Sequence, residues 1–378
     1  MEYVKIKDIN KYISASVNPM RLPDIKFEVY SVPSYETDHP EYLYGRKIAS
    51  NKICVQKNDI LLCKINPRIN RVWVVKGESE YQKIASSEWI VVRTEEYNPE
   101  FLAWYFKSPK FKKMMVSEVT GIGGSLTRAQ PKFVAEYPVP VISEKEQNEI
   151  VRILSTLDKV IDLRKKELEQ LENLVRGRFV EMFGNPVSNS YRFPEATLPE
   201  LGELGRGVSK HRPRNDPKLL GGDYPLIQTG DVANAGLYIT SYSSTYSELG
   251  LKQSKMWNKG TLCITIAANI AKTAILEFDA CFPDSVVGFT ANEKTNNIFI
   301  HYWFSFFQTI LESQAPESAQ KNINLKILSE LKVIVPKKEK QDEFVEFTNQ
   351  VNKSKVAVQK ALDEAQLLFD SLMQEYFG

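Results

Sequence analysis

One long phrase of this chain occurs twice. Laying Phe183-Gly184 over Phe377-Gly378 sets two segments 194 positions apart, and walking backwards without a gap keeps them matched. Glu181 meets Glu375, Leu174 meets Leu368, Leu168 meets Leu362, Lys159 meets Lys353, Glu149 meets Glu343, Gln147 meets Gln341 and Val139 meets Val333. A repeat of this length is a supersecondary unit used twice, so whatever one copy folds into the other must fold into as well. Each copy reads as a short apolar strand, a Pro-containing turn, a polar cap rich in Glu and Lys with one Gln, and a long helix.

The helices are legible from their spacing. Ile150, Leu154, Leu157, Ile161, Leu168, Leu171, Val175 and Met182 follow a 4-3 alternation, interrupted by Arg164 and Arg178; Phe344, Val351, Val358, Leu362, Ala365, Phe369, Leu372 and Tyr376 do the same. Such a seam specifies a coiled coil. A helix of 35 to 40 residues is roughly 55 to 60 Å long at 1.5 Å per residue, beyond the span of an ordinary small domain. The two helices are therefore expected to pair with each other rather than each lie on its own domain.

The repeat extends upstream with a drifting offset. "NPEFLAWYF" from Asn98 lies over "NNIFIHYWF" from Asn296, both aromatic-rich core helices. "KNDILLCKINPRINRVWVV" is similar to "NKGTLCITIAANIAKTAIL", each a strand, polar loop and strand, and the halves begin alike with "VKIKDI" at Val4 and "ATLPEL" at Ala196. The expected order is a globular domain over 1–142, a spacer helix over 143–184, a second domain over 185–335 and a second spacer helix over 336–378. The fold class is α+β: two α/β domains separated by two long helices, with pseudo-twofold symmetry from the tandem repeat.

Composition excludes more than it asserts. The 378 residues are 43% hydrophobic with a formal net charge of +2, so the chain can build real cores and its overall charge favours no partner. The sequence offers no membrane-length apolar run and no signal-peptide pattern at its start, so a cytoplasmic protein without membrane association is expected. Cys54, Cys63, Cys263 and Cys281 lack metal-ligand spacing and read as buried thiols; His39, His211 and His301 form no helix-spaced pair, and His301 reads as a packed helix residue. No metal site is expected.

Catalytic signatures fail one by one. "AANIAKT" has the Lys-Thr of a phosphate loop but no glycine, and "GIGGS" has its glycines in the wrong places for a nucleophile elbow. Asn66-Pro67, Asn98-Pro99 and Asn185-Pro186 lack the second proline and aromatic of an amino-methyltransferase loop, and Asp24-Ile25-Lys26 is a lone, weak nuclease candidate. The chain is expected to carry no catalytic residue and no cofactor. What recurs is basic and amide side chains in equivalent loops: Lys64, Arg68, Asn70 and Arg71, with Asn269 and Lys272 as counterparts; Ser125 and Arg128 before the first long helix, Gln320 and Lys321 before the second; and Lys210, Arg212 and Arg214 early in the second half. Arg and Lys fork onto guanine edges or phosphates, and Asn and Gln onto adenine, which makes these candidate DNA-binding residues.

The segment "YPVPVISEKEQNEIVRILSTLDKVIDLRKKELEQLENL", its echo "LKVIVPKKEKQDEFVEFTNQVNKSKVAVQKAL", and the order of domains resemble the specificity subunit of type I restriction-modification systems. The resemblance implies two target recognition domains, each reading half of a bipartite site in double-stranded DNA, and an antiparallel coiled coil whose length sets the spacer. It also implies two modification subunits that use S-adenosylmethionine, and restriction subunits that use ATP and Mg. Arg152, Lys165, Lys166, Lys353 and Lys360, off the seam, are candidate partner-facing residues. Two other readings share these features: a specificity subunit serving a fused methyltransferase-nuclease, and a coiled-coil scaffold that binds proteins without DNA.

Overall fold

The computed structural model describes residues 2–77, 79–117, 119–120, 127–267, 269–314 and 323–378. It divides into two compact units, Met1–Lys165 with Gln359–Gly378, and Lys166–Val358. Both long helices are present, Glu144–Phe183 and Lys338–Phe377, 40 residues each. Each unit therefore contains the first half of one long helix and the second half of the other.

The first unit opens on Tyr3–Lys5, which pairs antiparallel with Pro138–Pro140 just before the long helix, Val4 opposite Val139. The second opens in the same way, Glu195–Thr197 on Lys332–Ile334, with Ala196 opposite Val333. In the first unit Ile60–Cys63 lies between Val72–Val74 and Trp89–Val92 in a three-stranded antiparallel sheet. In the second, Leu262–Thr265 lies between Thr273–Leu276 and Val286–Ala291. The two strand-loop-strand stretches read from sequence are these central pairs. Their strands are buried on both faces, which explains runs such as "ILLC" that lack alternation. Beyond this shared centre the units differ. The first adds a five-stranded sheet built around Lys26–Tyr30; the second extends its central sheet to five strands and adds a four-stranded one around Leu220–Leu226.

Contacts within each unit fix the direction of the helices. In the first unit the Asn98 backbone N–H donates to Gln147 Oε1 at 2.8 Å and Trp104 Nε1 donates to Ser155 Oγ at 3.3 Å. Along the same short helix Phe101 meets Phe377 and Trp104 meets Phe369, with ring centres 5.8 and 5.6 Å apart. Passing from residue 98 to 104, one long helix is followed forwards and the other backwards, so the segments run antiparallel. In the second unit Phe183 meets Phe344 and Lys355 meets Glu172 at 2.5 Å, which again is antiparallel.

All the seam residues read from spacing are buried or half-buried. The stripe is not covered by helix pairing alone. Ile150, Leu154, Met373 and Phe377 share one core with Phe101, Leu102 and Tyr105, while Val175, Phe179, Phe183 and Phe344 share another with Leu198, Phe299 and Tyr302. A helix length beyond one domain is served by two, each covering one end. The aromatic pairs recur across the repeat: Phe183 meets Phe299 edge-to-face, and Phe377 meets Phe101 at a tilt, with ring centres 5.1 and 5.8 Å apart. Phe179, fully buried against Phe183, Phe299, Phe306 and Phe344 at 5.0 to 5.3 Å, lies outside the strict 4-3 series because the seam widens where the domain joins it.

Gln147 and Gln341, also matched in the repeat, are 2% and 0% exposed. Gln147 Nε2 donates to the Ile142 carbonyl at 2.9 Å, and Gln341 Nε2 donates to those of Pro336 and Lys294 at 2.9 and 3.0 Å. Gln341 Oε1 accepts from Thr295 Oγ1 at 2.9 Å, as Gln147 Oε1 accepts from Asn98. Each glutamine ties the turn before its helix to the head of the aromatic helix, satisfying backbone groups that burial would otherwise orphan. Cys63, Cys263 and Cys281 are buried free thiols as expected; Cys54 is only half-buried. His301 lies in the helix Asn297–Gln314, its Nδ1 3.0 Å from Thr273 Oγ1.

Phe179→Ala is expected to cost about 3–5 kcal/mol, because the cavity would lie among four fixed rings, read as a lowered midpoint in urea. Desolvation holds the His301 imidazole neutral down to a pKa of about 4, against an ordinary 6.5. The unfolded chain binds this proton first, so stability is to fall as pH drops from 6.5 towards 4. Thermal melts across that window should show the loss, and His301→Gln should flatten it.

Candidate nucleic-acid interface

In the first unit the loop after Ile60–Cys63 is built by left-handed asparagines. Asn66 and Asn70 have φ of 47° and 55°, a region Asn tolerates, and they bracket a 3₁₀ turn at Pro67–Ile69. The Asn70 side chain donates from Nδ2 to the Phe106 carbonyl at 3.1 Å, pinning the loop to the aromatic helix. Arg71 is only 17% exposed and donates from Nε to Glu36 at 2.9 Å. Arg68 projects from the turn, exposed, and forms no ion pair among the described residues. Arg128 reaches Glu88 at 3.0 Å.

Three chain segments converge here. The Lys64 N–H donates to the Glu88 carbonyl at 3.0 Å, and the Lys64 carbonyl accepts from Ala129 N–H at 2.9 Å. The second unit repeats both bonds: Ile266 N–H to the Ser285 carbonyl at 3.0 Å, and Ile323 N–H to the Ile266 carbonyl at 2.9 Å. This fixes the loop register that sequence alone left open, with Lys64 equivalent to Ile266. Asn269 and Lys272 lie on the second loop; Asn269 is exposed, and its carbonyl accepts from the buried Thr265 hydroxyl. The Lys272 N–H donates to that hydroxyl at 3.0 Å.

The second unit adds a basic loop beside this cluster. The Lys210 and His211 backbone N–H groups donate to Gln253 Oε1 at 2.7 and 3.0 Å, and His211 Nε2 lies 3.2 Å from Asp216. Arg212 donates to the Ser209 and His211 carbonyls at 2.6 and 2.8 Å. Arg212 and Arg214 both pair with Asp284, whose carbonyl accepts from Arg206 Nε at 2.5 Å. Because Asp284 precedes Ser285, the basic loop and the Asn269–Lys272 loop flank one turn. Ser125, Gln320 and Lys321 lie outside the described residues. Gln253, Asp284, Glu88 and Arg206 organise these clusters, and nothing in their local sequence marks them, since each acts on residues 24 to 78 positions away.

The exposed lysines and arginines can hold phosphates; Arg71 and Asn70 are committed to the protein's own loop. No group of three or more His, Cys, Asp or Glu side chains among the described residues could hold a metal. No helix among them is long and apolar enough to cross a membrane.

The two units repeat one loop framework, each with its own set of polar side chains, and each holds part of both long helices. The chain belongs to the type I restriction-modification DNA specificity family, whose domain matches twice, over residues 1–173 and 195–365. It is 23% identical over 303 residues to a putative type I restriction enzyme specificity subunit, MjaX, of Methanocaldococcus jannaschii, covering 75% of this chain and 69% of that one. It is 27% identical over 209 residues to the MjaVIII specificity subunit of the same organism, covering 53% and 46%. Its fold is similar to that of a chain solved in work on complex assembly and conformational transition of the type I R-M system, with a TM-score of 0.58 at 17% identity over 100% of this chain and 97% of that one. It is also similar to the type I S subunit from M. genitalium, with a TM-score of 0.59 at 13% identity over 100% and 96%.

Arg68→Ala is expected to weaken duplex binding and reduce its log-log salt slope by about one, with an unchanged melting temperature. Arg71→Ala should lower the melting temperature as well, because it removes the packing of a largely buried side chain together with its bond to Glu36. Binding titrations at several salt concentrations alongside melts separate the two.

Proposed function

We propose that this chain is the address-reading subunit of a type I restriction-modification complex, each unit reading one half of a bipartite site in double-stranded DNA. The observation that carries this reading is the recurrence, in two otherwise different units, of the same converging loop framework bearing different side chains. A shared framework with different side chains suits two half-sites of different sequence. Arg68, Lys64 and Arg128 would face the first half-site, and Lys210, Arg212, Arg214, Asn269 and Lys272 the second; Ser125, Gln320 and Lys321 remain candidates from sequence.

The long helices would set the distance between half-sites. Two modification subunits would bring adenine methylation with S-adenosylmethionine, and restriction subunits the ATP- and Mg-dependent steps; this chain would contribute no catalytic group or cofactor. A cytoplasmic location fits such partners. Exposed Arg152, Lys165, Lys166, Lys353 and Lys360, with Lys360 paired to Glu364 at 3.8 Å, are available on the helices for them.

Methylated adenines are to be mapped genome-wide with and without this chain, and with a four-residue insertion between Leu157 and Leu174. A bipartite motif should vanish with the chain. The insertion should lengthen its unread spacer by roughly one to two base pairs, given about 6 Å of added helix. An unchanged motif in the absence of the chain would refute the reading, and unchanged spacing would refute the ruler.

A further inference from the structure

The first unit contains a cleft of about 650 Å³ between its sheet and the front half of the first long helix. Its apolar floor includes Tyr35, Trp73 and Trp104, and its charged lining is five carboxylates, Glu36, Asp38, Glu100, Asp158 and Asp162, against three lysines, Lys76, Lys107 and Lys159. Two of these carboxylates are already matched, Glu36 by Arg71 and Asp38 by Lys76 at 3.1 Å. Glu100, Asp158 and Asp162 form no ion pair among the described residues. The floor already attracts a cation, for the Lys107 ammonium lies 4.8 Å from the centre of the Trp104 ring. Partial desolvation against the cleft wall and the neighbouring Asp162 push the Asp158 carboxyl up, although Lys107 opposes this. A further cation beside Asp158 would relieve that cost.

The repeat supplies an internal control. At the equivalent positions of the second copy Asp158 becomes Asn352, Asp162 becomes Val356 and Glu100 becomes Ile298. Ser155 becomes Asn349, whose side chain lies 3.4 Å from the Tyr238 hydroxyl, so the sheet and helix are bridged there. Helix residues that only needed solubility would have no reason to concentrate carboxylates beside an aromatic cleft in one copy and lose them in the other. A surplus of carboxylates over lysines disfavours phosphates, and an aromatic floor with such a lining suits the aliphatic stem and charged head of lysine or arginine.

We propose that a lysine- or arginine-bearing segment of a methyltransferase subunit seats in this cleft, in the first unit only. The two partner subunits are thereby held unequally on a chain whose repeat would otherwise hold them alike. This rests on the function proposed above. Binding of the co-encoded methyltransferase subunit to the full chain is to be measured by calorimetry and native mass spectrometry, for the wild type and for the Asp158→Asn/Asp162→Asn variant. Asn is nearly isosteric and removes a partly desolvated charge, so the variant should fold; Asp162→Asn alone, at an exposed position, serves if it does not.

The expected result is two partner copies on the wild type, and about tenfold weaker binding of one of them on the variant, with duplex binding by the chain alone unchanged. Equal partner binding by the two proteins would overturn the proposal. So would altered duplex binding by the variant chain alone, which would place DNA at the cleft. A wild-type chain that binds no methyltransferase subunit would sink the functional reading itself, and the cleft's occupant with it.

Discussion

A 40-residue helix with an apolar stripe along its whole length must have that stripe covered, and the rest of this architecture follows from how the covering is done. One domain cannot reach from end to end. Here each unit covers the front of one long helix and the back of the other, and large aromatic side chains carry the joint: Phe377 on Phe101 in one unit, Phe183 and Phe179 on Phe299 in the other. Phe and Trp bury large areas and prefer tilted or edge contacts, so a few of them fix both position and angle. The buried glutamines then lock the turn from which each helix departs.

Much of this was legible in the sequence because a repeat is its own alignment. The match of Gln147 to Gln341 and of Phe183 to Phe377 predicts equivalent environments, and both pairs are buried in equivalent contacts. The seam was legible because 4-3 spacing is a direct consequence of helix geometry. Phe179 was missed for the same reason: its partners are the domain's aromatic helix as well as the other long helix, and a pattern for two helices does not register a third. The doubly covered strands were recognisable as apolar runs, but the sheets outside the shared centre were not, because nothing repeats there.

The loops were legible in residue type, but not in the contacts their side chains make within the protein. Asn70 and Arg71 have the chemistry of base-reading side chains, yet their partners are the Phe106 carbonyl and Glu36. Those partners are 36 and 35 positions away, and only folding shows that they arrive. Arg212 and Arg214 likewise share Asp284, some 70 positions on. Basic loops in a protein of near-neutral charge hold their shape through such internal partners, which lowers the ordering cost of binding any ligand.

The division of the chain into units carries a consequence for synthesis. Residues 359–378 belong to the first unit, yet they are the last of this sequence to leave the ribosome. Until then the aromatic side chains Phe101 and Trp104 lack Phe377 and Phe369, while the second unit already has all of its parts. The half made first is thus the half completed last. In an exchange of recognition domains between relatives, a first domain would keep its native helix contacts only if the final twenty residues travelled with it.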